Sequence, residues 1–512
     1  MRHALIAAAA AAATATATVW FALPLAAQEV PTQTLRIALA EDTDTLDPTL
    51  ARTFTGRFVF AGICDKLLDI NEKLEIVPQL AKAYEWSDER TLVFHLRPGV
   101  MFHDGTPLDA AAVKYSLERH LTMQGSTRRA EISAMERAEV VDPLTVRIVL
   151  KAPSAPFVAQ LTDRAGMIVS PKAAEAAGKE FGSHPVCAGP FKFTERVAQD
   201  RFVLDRFAGY WDAANIHFAR VVFRPIVDNS VRLTNLQAGA IDIGERIAAT
   251  DVTEARADKR LATFVYPALG YQSINFNLGN GPRSNTPLGQ SRLVRQAFEA
   301  SIDRAVLMQV VYNGMFTPSA QGLPPGSPFY NHAVPPTPRD LVRAKALLKQ
   351  AGVSLPVKVA LTVTTNPDQK QTGEMIQAMA AEAGFEVTVQ ATEFATALAA
   401  QSRGDYEASA IGWSGRPDPD GNLYNNLHSK GSLNETRYAN ADVDAWLDAA
   451  RATTDVAARK ALYANITARV HEDLPVMYLD SNSWIVVTAS KLSGFRAVPD
   501  GIIRVQGMRL AK

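Results

Sequence analysis

Cysteine is nearly absent from this chain, with only Cys64 and Cys187 among 512 residues. Two thiols so far apart cannot supply the ligand clusters that structural zinc or iron–sulfur centres need. The nine histidines do not show His-Glu-x-x-His or a similar helical spacing. We therefore expect no metal and no cofactor.

Net charge is also absent, because 53 Lys and Arg residues balance 53 Asp and Glu residues. No basic run stands out, so the electrostatic footprint of a nucleic-acid-binding protein is missing and no nucleic-acid partner is expected. The sequence lacks a Gly-x-Ser-x-Gly elbow, a Walker-type loop and an evident pair of nucleophile and base. These absences argue against an enzyme, although residues could still converge in space.

Long apolar runs are missing except at the N-terminus. Met1-Arg2-His3 forms a short basic head, and no charged residue follows from Ala4 to Ala27. This pattern predicts a signal peptide over residues 1–27, cleaved near Ala27, and a periplasmic protein. An uncleaved membrane anchor is the alternative, but Ala and Thr contribute little insertion energy. No later segment approaches the roughly 20 apolar residues of a membrane span, so the rest is expected to be soluble.

Export would place both cysteines in an oxidising compartment, where thiol pairs tend to be joined. We therefore predict a disulfide between Cys64 and Cys187. In the chain-entropy model, closing so long a loop stabilises the fold by about 4–5 kcal/mol. Two buried free thiols are the alternative.

The length exceeds what one hydrophobic core supports, so at least two packed units are expected. The first half of the chain is β-rich, with interspersed helices. Alternating apolar residues and turn formers predict a strand at 34–40 and hairpins at 83–97 and 138–150. Asp109 is a predicted cap of a helix that ends near residue 120.

The second half of the chain alternates helices with strands, which is typical of an α/β unit with a largely parallel sheet. Residues 290–313 are expected to form one helix, before a proline-rich loop at 318–338. Apolar segments at 475–479 and 484–487 predict two closing strands. Between these regions the pattern predicts helices at 340–351, 369–383, 394–400, 441–452 and 456–470, and strands at 357–364, 386–389 and 406–411.

The loop after the predicted strand 406–411 carries the strongest local signal. It contains the aromatic Trp413, the cation Arg416 and two carboxylates, Asp418 and Asp420. Loops at the carboxyl ends of strands in open α/β sheets commonly bind small ligands. Opposite charges in a partly dry cleft would suit a zwitterion. Alternatively, these residues form simple turns and Trp413 belongs to the core.

Several further motifs match those of a known family and occur in the same order along the chain. The chain resembles the extracellular solute-binding proteins of ABC importers, in the dipeptide/oligopeptide-binding class called solute-binding protein family 5. That class also includes nickel, glutathione and opine binders. The matching segments are Pro78-Gln79-Leu80-Ala81, Phe94-His95-Leu96-Arg97-Pro98-Gly99-Val100, Phe102-His103-Asp104-Gly105-Thr106-Pro107, Gly189-Pro190-Phe191, residues 292–304, Glu374-Met375-Ile376-Gln377 and Gly412-Trp413-Ser414.

The resemblance implies an α/β, bilobal periplasmic-binding-protein fold of type II, in the large class with an inserted subdomain. Two crossover segments, placed at 268–273 and 478–482, would form the hinge. The predicted disulfide would tie the start of the subdomain to its end. The implied domains are lobe I (28–70, 189–270 and 480–512), the inserted subdomain of lobe I (71–188) and lobe II (271–479).

The resemblance also implies ligand-binding residues. An Asp in the segment matching Asp418-Pro419-Asp420 pairs with the ligand's amino group in peptide-binding relatives, so Asp418 is the first choice and Asp420 the second. Lys370, which precedes the helix with Glu374, is a candidate for the ligand's carboxylate, and Arg416 is another. Under this hypothesis, replacing Asp418 with Ala should abolish binding without lowering the melting temperature.

The implied function is transport without catalysis. A monomer would capture a peptide or peptide-like solute between its lobes and deliver it to the permease of an ABC transporter. The alternatives are a receptor for an opine, a glutathione-like solute, a metal chelate or another small acid, an envelope chaperone or sensor, and an exported hydrolase.

Overall fold

A single large mixed sheet runs through the protein in the computed structural model, which describes residues 33–511. The predicted signal peptide lies outside these residues. The described chain belongs to one compact unit. Its strands are β1 (Thr34–Leu39), β2 (Leu68–Ile70), β3 (Ile76–Pro78), β4 (Ala81–Asp88), β5 (Thr91–Leu96), β6 (Met135–Asp142), β7 (Thr145–Leu150), β8 (Phe191–Val197), β9 (Arg201–Arg206), β10 (Arg220–Pro225), β11 (Ile243–Gly244), β12 (Leu261–Phe276), β13 (Thr317–Pro318), β14 (Val357–Thr364), β15 (Phe385–Thr392), β16 (Ala408–Trp413), β17 (Val476–Ala489), β18 (Leu492–Ser493) and β19 (Arg509–Leu510).

Helices flank this sheet. Among the described residues, none of them is both long and apolar enough to cross a bilayer. They are α1 (Phe54–Ile63), α2 (Ala110–Thr122), α3 (Phe157–Gln160), α4 (Pro171–Ala177), α5 (Asn229–Gln237), α6 (Val252–Ala257), α7 (Pro287–Gln290), α8 (Arg292–Ala300), α9 (Arg304–Tyr312), α10 (Leu341–Ala351), α11 (Pro367–Ala381), α12 (Phe394–Arg403), α13 (Asp420–Leu427), α14 (Ala441–Ala452) and α15 (Val456–Asp473).

Two long antiparallel strands, β12 and β17, form the middle of the 11-stranded sheet. On one side, β16 pairs with β12 and is followed by β14 and β15; on the other, β11 pairs with β17 and is followed by β1, β10, β9 and β8. The segments 268–273 and 478–482, predicted as crossings, lie within these two strands. The pairing register shifts there, between Pro267 and Tyr271 and again after Gln272. Such irregularities bend a strand locally.

A separate four-stranded sheet has the order β4-β5-β7-β6, and α2 packs against it. The inward residues of this sheet and of α2 form their own apolar core, which includes Phe94, Leu117 and Ile148. The predicted hairpins and the helix capped by Asp109 are confirmed, and the Asp109 side chain accepts a hydrogen bond from Ala112 N. The predicted disulfide between Cys64 and Cys187 is also present.

Three expectations about the second half need correction. Residues 290–313 do not form one helix, because Asp303 caps a new helix by accepting from Val306 N, so α8 and α9 are separate. The segments 475–479 and 484–487 belong to the single strand β17, which pairing with β12 keeps extended. Within the second half, parallel pairing is limited to β15, β14 and β16, since β16 pairs with β12 antiparallel. Elsewhere in the same sheet, β1 pairs parallel with β10 and β11.

Candidate functional site

Two adjoining cavities lie where β16 ends beside the middle of β12 and β17. The first has about 920 Å³ of empty space and the second about 880 Å³, both partly open to solvent. Phe54, Phe394 and Trp413 line both cavities, together with Gly412 and Ser414. These aromatic side chains therefore form a shared wall between two compartments of one cleft.

Trp413 is the last residue of β16 and is half-buried. Its indole Nε1 donates to Asn422 Oδ1 at 3.0 Å, and the Arg416 guanidinium lies 4.8 Å from the ring centroid. The next turn needs glycine at 415, where φ is +77° and a Cβ would lie 2.2 Å from the Leu269 backbone. This close packing fixes the indole at the cleft.

The first cavity presents hydrogen-bond acceptors. Gln272 Oε1 and Asn482 Oδ1 are buried atoms without a protein partner, and both residues line the cavity. Asp368 adds a carboxylate that accepts from Asn229 at 2.8 Å. Burial raises the pKa of Asp368. The compartment therefore suits a ligand group rich in N–H donors.

Arg246, also on the first cavity, is already neutralised. Its guanidinium lies 2.9 Å from Glu41 and 2.6 Å from Glu245. Burial lowers the pKa of Arg246, but these two carboxylates outweigh burial and raise it. The net charge of this trio is negative, which again favours a donor-rich or cationic group.

The second cavity presents hydrogen-bond donors. Arg52, Arg128 and Arg164 line it, and the last two are buried. Arg164 Nε and Gln401 Nε2 are buried donors without a protein partner. The two compartments of the cleft therefore have opposite hydrogen-bonding character.

Asp163 lies beside the second cavity between two arginines. Its Oδ1 accepts from Arg57 Nε at 3.1 Å, and its Oδ2 lies 2.8 Å from Arg416 Nε. Burial raises the pKa of this carboxyl, but the surrounding guanidinium groups hold it well below its usual range. Arg57 also donates to Ser414 Oγ at 3.3 Å, so this cluster joins α1 to the turn after β16.

The structure places the sequence-predicted charged residues away from both cavities. Arg416 is buried against Asp163, and Asp418 accepts two hydrogen bonds from Arg459, each 3.0 Å long. Asp420 begins α13 and is paired with a different arginine.

The Asp420 carboxylate lies 2.6 Å from Arg451 Nε and accepts from Gln160 at 3.0 Å. Lys370 is exposed in the first turns of α11. Of the five predicted ligand contacts, only Trp413 lines the described cavities.

Sequence reasoning missed the unpaired polar groups. Gln272 and Asn482 lie within apolar strands that the sequence marked as crossings, and Arg164 and Gln401 follow no motif. The one signal in the sequence was the presence of polar residues at the predicted crossings. A polar side chain that is buried there needs a hydrogen-bond partner.

Metal ligation finds no support in the described part of the chain, where no group of three or more His, Cys, Asp or Glu side chains could hold an ion. What the cleft can do chemically is bind a solute by hydrogen bonds, charge and aromatic contact.

Known proteins similar to this chain are named as binding proteins for small solutes. The glutathione-binding protein GsiB of Pectobacterium atrosepticum is 30% identical over 489 residues, covering 93% of this chain and 94% of that protein. The periplasmic binding protein DppA of Helicobacter pylori, solved with the peptide STSA, is 26% identical with a TM-score of 0.86, covering 94% of this chain and 99% of that one.

The periplasmic binding protein AgaA of A. tumefaciens R10, solved with agropinic acid, is 26% identical with a TM-score of 0.85 over the same shares of the two chains. These likenesses confirm the predicted bilobal α/β fold. The family described as bacterial extracellular solute-binding proteins, family 5 Middle, matches residues 75–434. The chain therefore belongs to the family 5 extracellular solute-binding proteins.

Proposed function

We propose that this protein is the periplasmic substrate-binding component of an ABC importer and that it captures a peptide-like small solute in the cleft. The observation that carries the proposal is the opposite character of the two compartments. One offers unpaired acceptors, Gln272 and Asn482, and the other offers unpaired donors, Arg164 and Gln401. A solute with N–H groups at one end and a carboxylate at the other complements both.

The relatives support the same solute class, since their names give glutathione, a peptide and agropinic acid as ligands. The proposal follows them in assigning binding without catalysis. An N-terminal leader cleaved near Ala27 would release a monomer into the periplasm, and a membrane permease would receive the solute.

Within the cleft, Trp413 is the proposed direct contact among the residues named from the sequence. Its half-buried indole lies between the compartments, where it would cover the middle of an extended solute. Arg416, Asp418 and Asp420 would act as positioning residues, because their ion pairs hold the turn and helix that follow Trp413.

Release of the solute requires the two halves to separate around β12 and β17. Contacts across the cleft, such as Arg52 with Glu435 at 2.9 Å and Gln160 with Asp420 at 3.0 Å, would form on closure. The solute would favour the closed form by binding it more tightly than the open form.

Native mass spectrometry of the freshly purified mature protein, followed by calorimetry with glutathione and dipeptides, tests this proposal. We expect one solute per monomer, compaction in small-angle scattering and no turnover of the solute. The variant Trp413→Leu should weaken binding about tenfold or more, while Trp86→Leu, which changes an exposed tryptophan on the separate sheet, should not. Solute turnover, or binding without compaction, would contradict the proposal.

A further inference from the structure

A polar contact joins two units of the protein that have separate apolar cores. The small unit is the four-stranded sheet with α2 and α3, and its core includes Phe157 and Leu161. The helical unit is formed by α13, α14 and α15, and its core includes Leu423 and Leu447. Units with cores of their own commonly move relative to each other when a polar interface joins them. This contact can therefore break without disturbing either core.

The two units are attached to opposite halves of the large sheet. The small unit is inserted between α1 and β8, and β8 lies on the β17 side of the sheet. The helical unit directly follows β16, which lies on the β12 side. Opening of the cleft around β12 and β17 would therefore pull the contact between the units apart.

The helical unit presents a preorganised acceptor. Arg451 donates to both carboxylate oxygens of Asp420, from Nε at 2.6 Å and from Nη2 at 3.0 Å. The same guanidinium lies 3.1 Å from the centroid of the Tyr424 ring, whose hydroxyl donates to Asp448 at 2.8 Å. A bidentate pair fixes the orientation of the carboxylate. All these side chains belong to α13 and α14, so the pair does not need the small unit to form.

The small unit supplies the donors. Gln160 Nε2, at the end of α3, donates to Asp420 Oδ1 at 3.0 Å. The Ala155 amide donates to the Arg451 carbonyl at 2.9 Å, and Arg451 Nη1 donates back to Ser133 Oγ at 3.4 Å. Gln160 is 6% exposed, and its helix also carries residues of the small unit's core. The amide is therefore held in place by the packing of its own unit.

None of these contact residues lines the described cavities, so a solute in the cleft would not touch them. The contact can change affinity only through the fraction of the protein that is closed. The apparent dissociation constant is the intrinsic constant divided by the fraction of binding-competent protein. A change in this contact should therefore alter the affinity for every solute by the same factor.

We propose that the small unit is a latch, in which Gln160 and the Ala155 amide engage the Asp420–Arg451 pair on closure and hold the cleft shut without contacting the solute. This inference rests on the proposed function and adds control of solute release to it. A hydrogen bond to a charged group is stronger than one between neutral groups. Losing the bond from Gln160 should therefore shift the closing equilibrium about tenfold or more towards the open form.

Two substitutions of Gln160 test the latch. Gln160→Leu removes the donor and should raise both the dissociation constant and the dissociation rate of the solute about tenfold. Gln160→Glu keeps the shape of the side chain but places a second carboxylate beside Asp420, so it should weaken binding further. Calorimetry and stopped-flow tryptophan fluorescence would compare glutathione with each dipeptide that binds. Each variant should weaken all of these solutes by the same factor.

Hydrogen exchange at the Ala155 amide reports on the latch itself, because this N–H donates across the contact. Addition of glutathione or a binding dipeptide to the wild-type protein should slow the exchange of this amide. In Gln160→Glu the same addition should slow it less at equal saturation. A residue that served only the fold of the small unit would not show this dependence on solute.

Gln79→Leu is the matched control. Gln79 Nε2 also donates to a buried carboxylate at 3.0 Å, that of Asp65. Both residues precede β4 in the chain, so this bond does not reach the helical unit, and neither residue lines the two cavities. Whatever this substitution does to the melting temperature, it should leave the affinity and the dissociation rate unchanged.

Failure of the latch differs from failure of the proposed function. Three results would each overturn the latch while leaving solute binding intact: unchanged affinity and dissociation rate in both Gln160 variants, a loss of affinity whose size depends on the solute, or Ala155 exchange that solute does not slow. A protein that binds no member of the panel and carries no solute would instead overturn the proposed function.

Discussion

The turn after β16 and the cleft beside it use polar residues in opposite ways. In the turn, the charges are paired within the protein: Arg416 with Asp163, Asp418 with Arg459 and Asp420 with Arg451. In the cleft, the buried polar atoms of Gln272, Asn482, Arg164 and Gln401 have no protein partner. Paired groups contribute to the fold, whereas the unpaired groups are those that we propose as ligand contacts.

This comparison predicts two different effects of substitution. Loss of a paired group should lower the stability of the free protein, because its buried partner is left alone. Loss of an unpaired group should leave stability unchanged or improve it and should weaken binding instead. Measuring both quantities on each variant therefore separates the two regions.

Asp163→Asn should have the largest effect on stability. Removing this carboxylate leaves the guanidinium groups of Arg57 and Arg416 without their anion, which should cost about 3–5 kcal/mol. Because the folded-state pKa of Asp163 lies well below that of an unfolded Asp, its contribution is fully present above about pH 4. It is lost as the pH falls through the folded-state value.

Denaturant unfolding at several pH values checks this prediction. The difference between wild type and Asp163→Asn should be constant near neutral pH and should shrink below about pH 4. As a control, Asp258→Asn breaks an exposed pair with Arg260 and should change nothing measurable. A variant as stable as wild type at pH 7 would show that the cluster is not structurally important.

Asp418→Asn should lower stability by a smaller amount, about 1–3 kcal/mol, because it weakens two hydrogen bonds from the largely buried Arg459. The affinity for solute should change little. This is the reverse of the effect that the family resemblance implies for Asp418, so melting curves and calorimetry on one variant decide between the two. Lost affinity at an unchanged melting temperature would return Asp418 to the ligand site.

Local patterns in the sequence predicted much of the fold. The cap at Asp109 and the turn at Asp142 depend on neighbouring residues, and both are present as expected. The break before α9 was missed because one residue, Asp303, ends a continuous apolar periodicity. The continuity of β17 was missed because pairing with β12, more than 200 positions away, keeps it extended.

The site was less predictable than the fold, because its contacts also join segments that are far apart in the sequence. Trp413 was identified from its motif, but the partners of Arg416 and Asp418 lie in distant segments that no local spacing reveals. Asp163 lies 253 positions before Arg416 in the sequence, and it converts a candidate ligand contact into a buried ion pair. Whether a charged residue is free depends on the tertiary fold, which residue type alone does not show.

Gln272→Met should weaken solute binding while leaving the melting temperature unchanged. The side chain packs on Gly412, where a Cβ would lie 2.7 Å from Gln272 Oε1, so an unbranched replacement fits best. One lost hydrogen bond is worth about 0.5–1.5 kcal/mol, which is up to roughly tenfold in affinity. Gln377→Met, which removes an amide bonded to the Val387 carbonyl outside the cleft, should leave affinity unchanged. Equal affinities for both variants would contradict a ligand contact at Gln272.

Lys370→Ala should have the smallest effect of all, because Lys370 takes no part in the ion pairs of the turn and contributes no unpaired polar atom to the cleft. Its side chain is exposed on α11 and lines neither cavity, so stability should change by less than about 0.5 kcal/mol. Affinity for solute should stay within twofold of wild type by calorimetry, since the donors that would meet the solute's carboxylate line the second cavity, on the other side of Trp413. A tenfold loss would instead place the solute's carboxylate near α11, in the first compartment, and would reverse the orientation assigned to the solute.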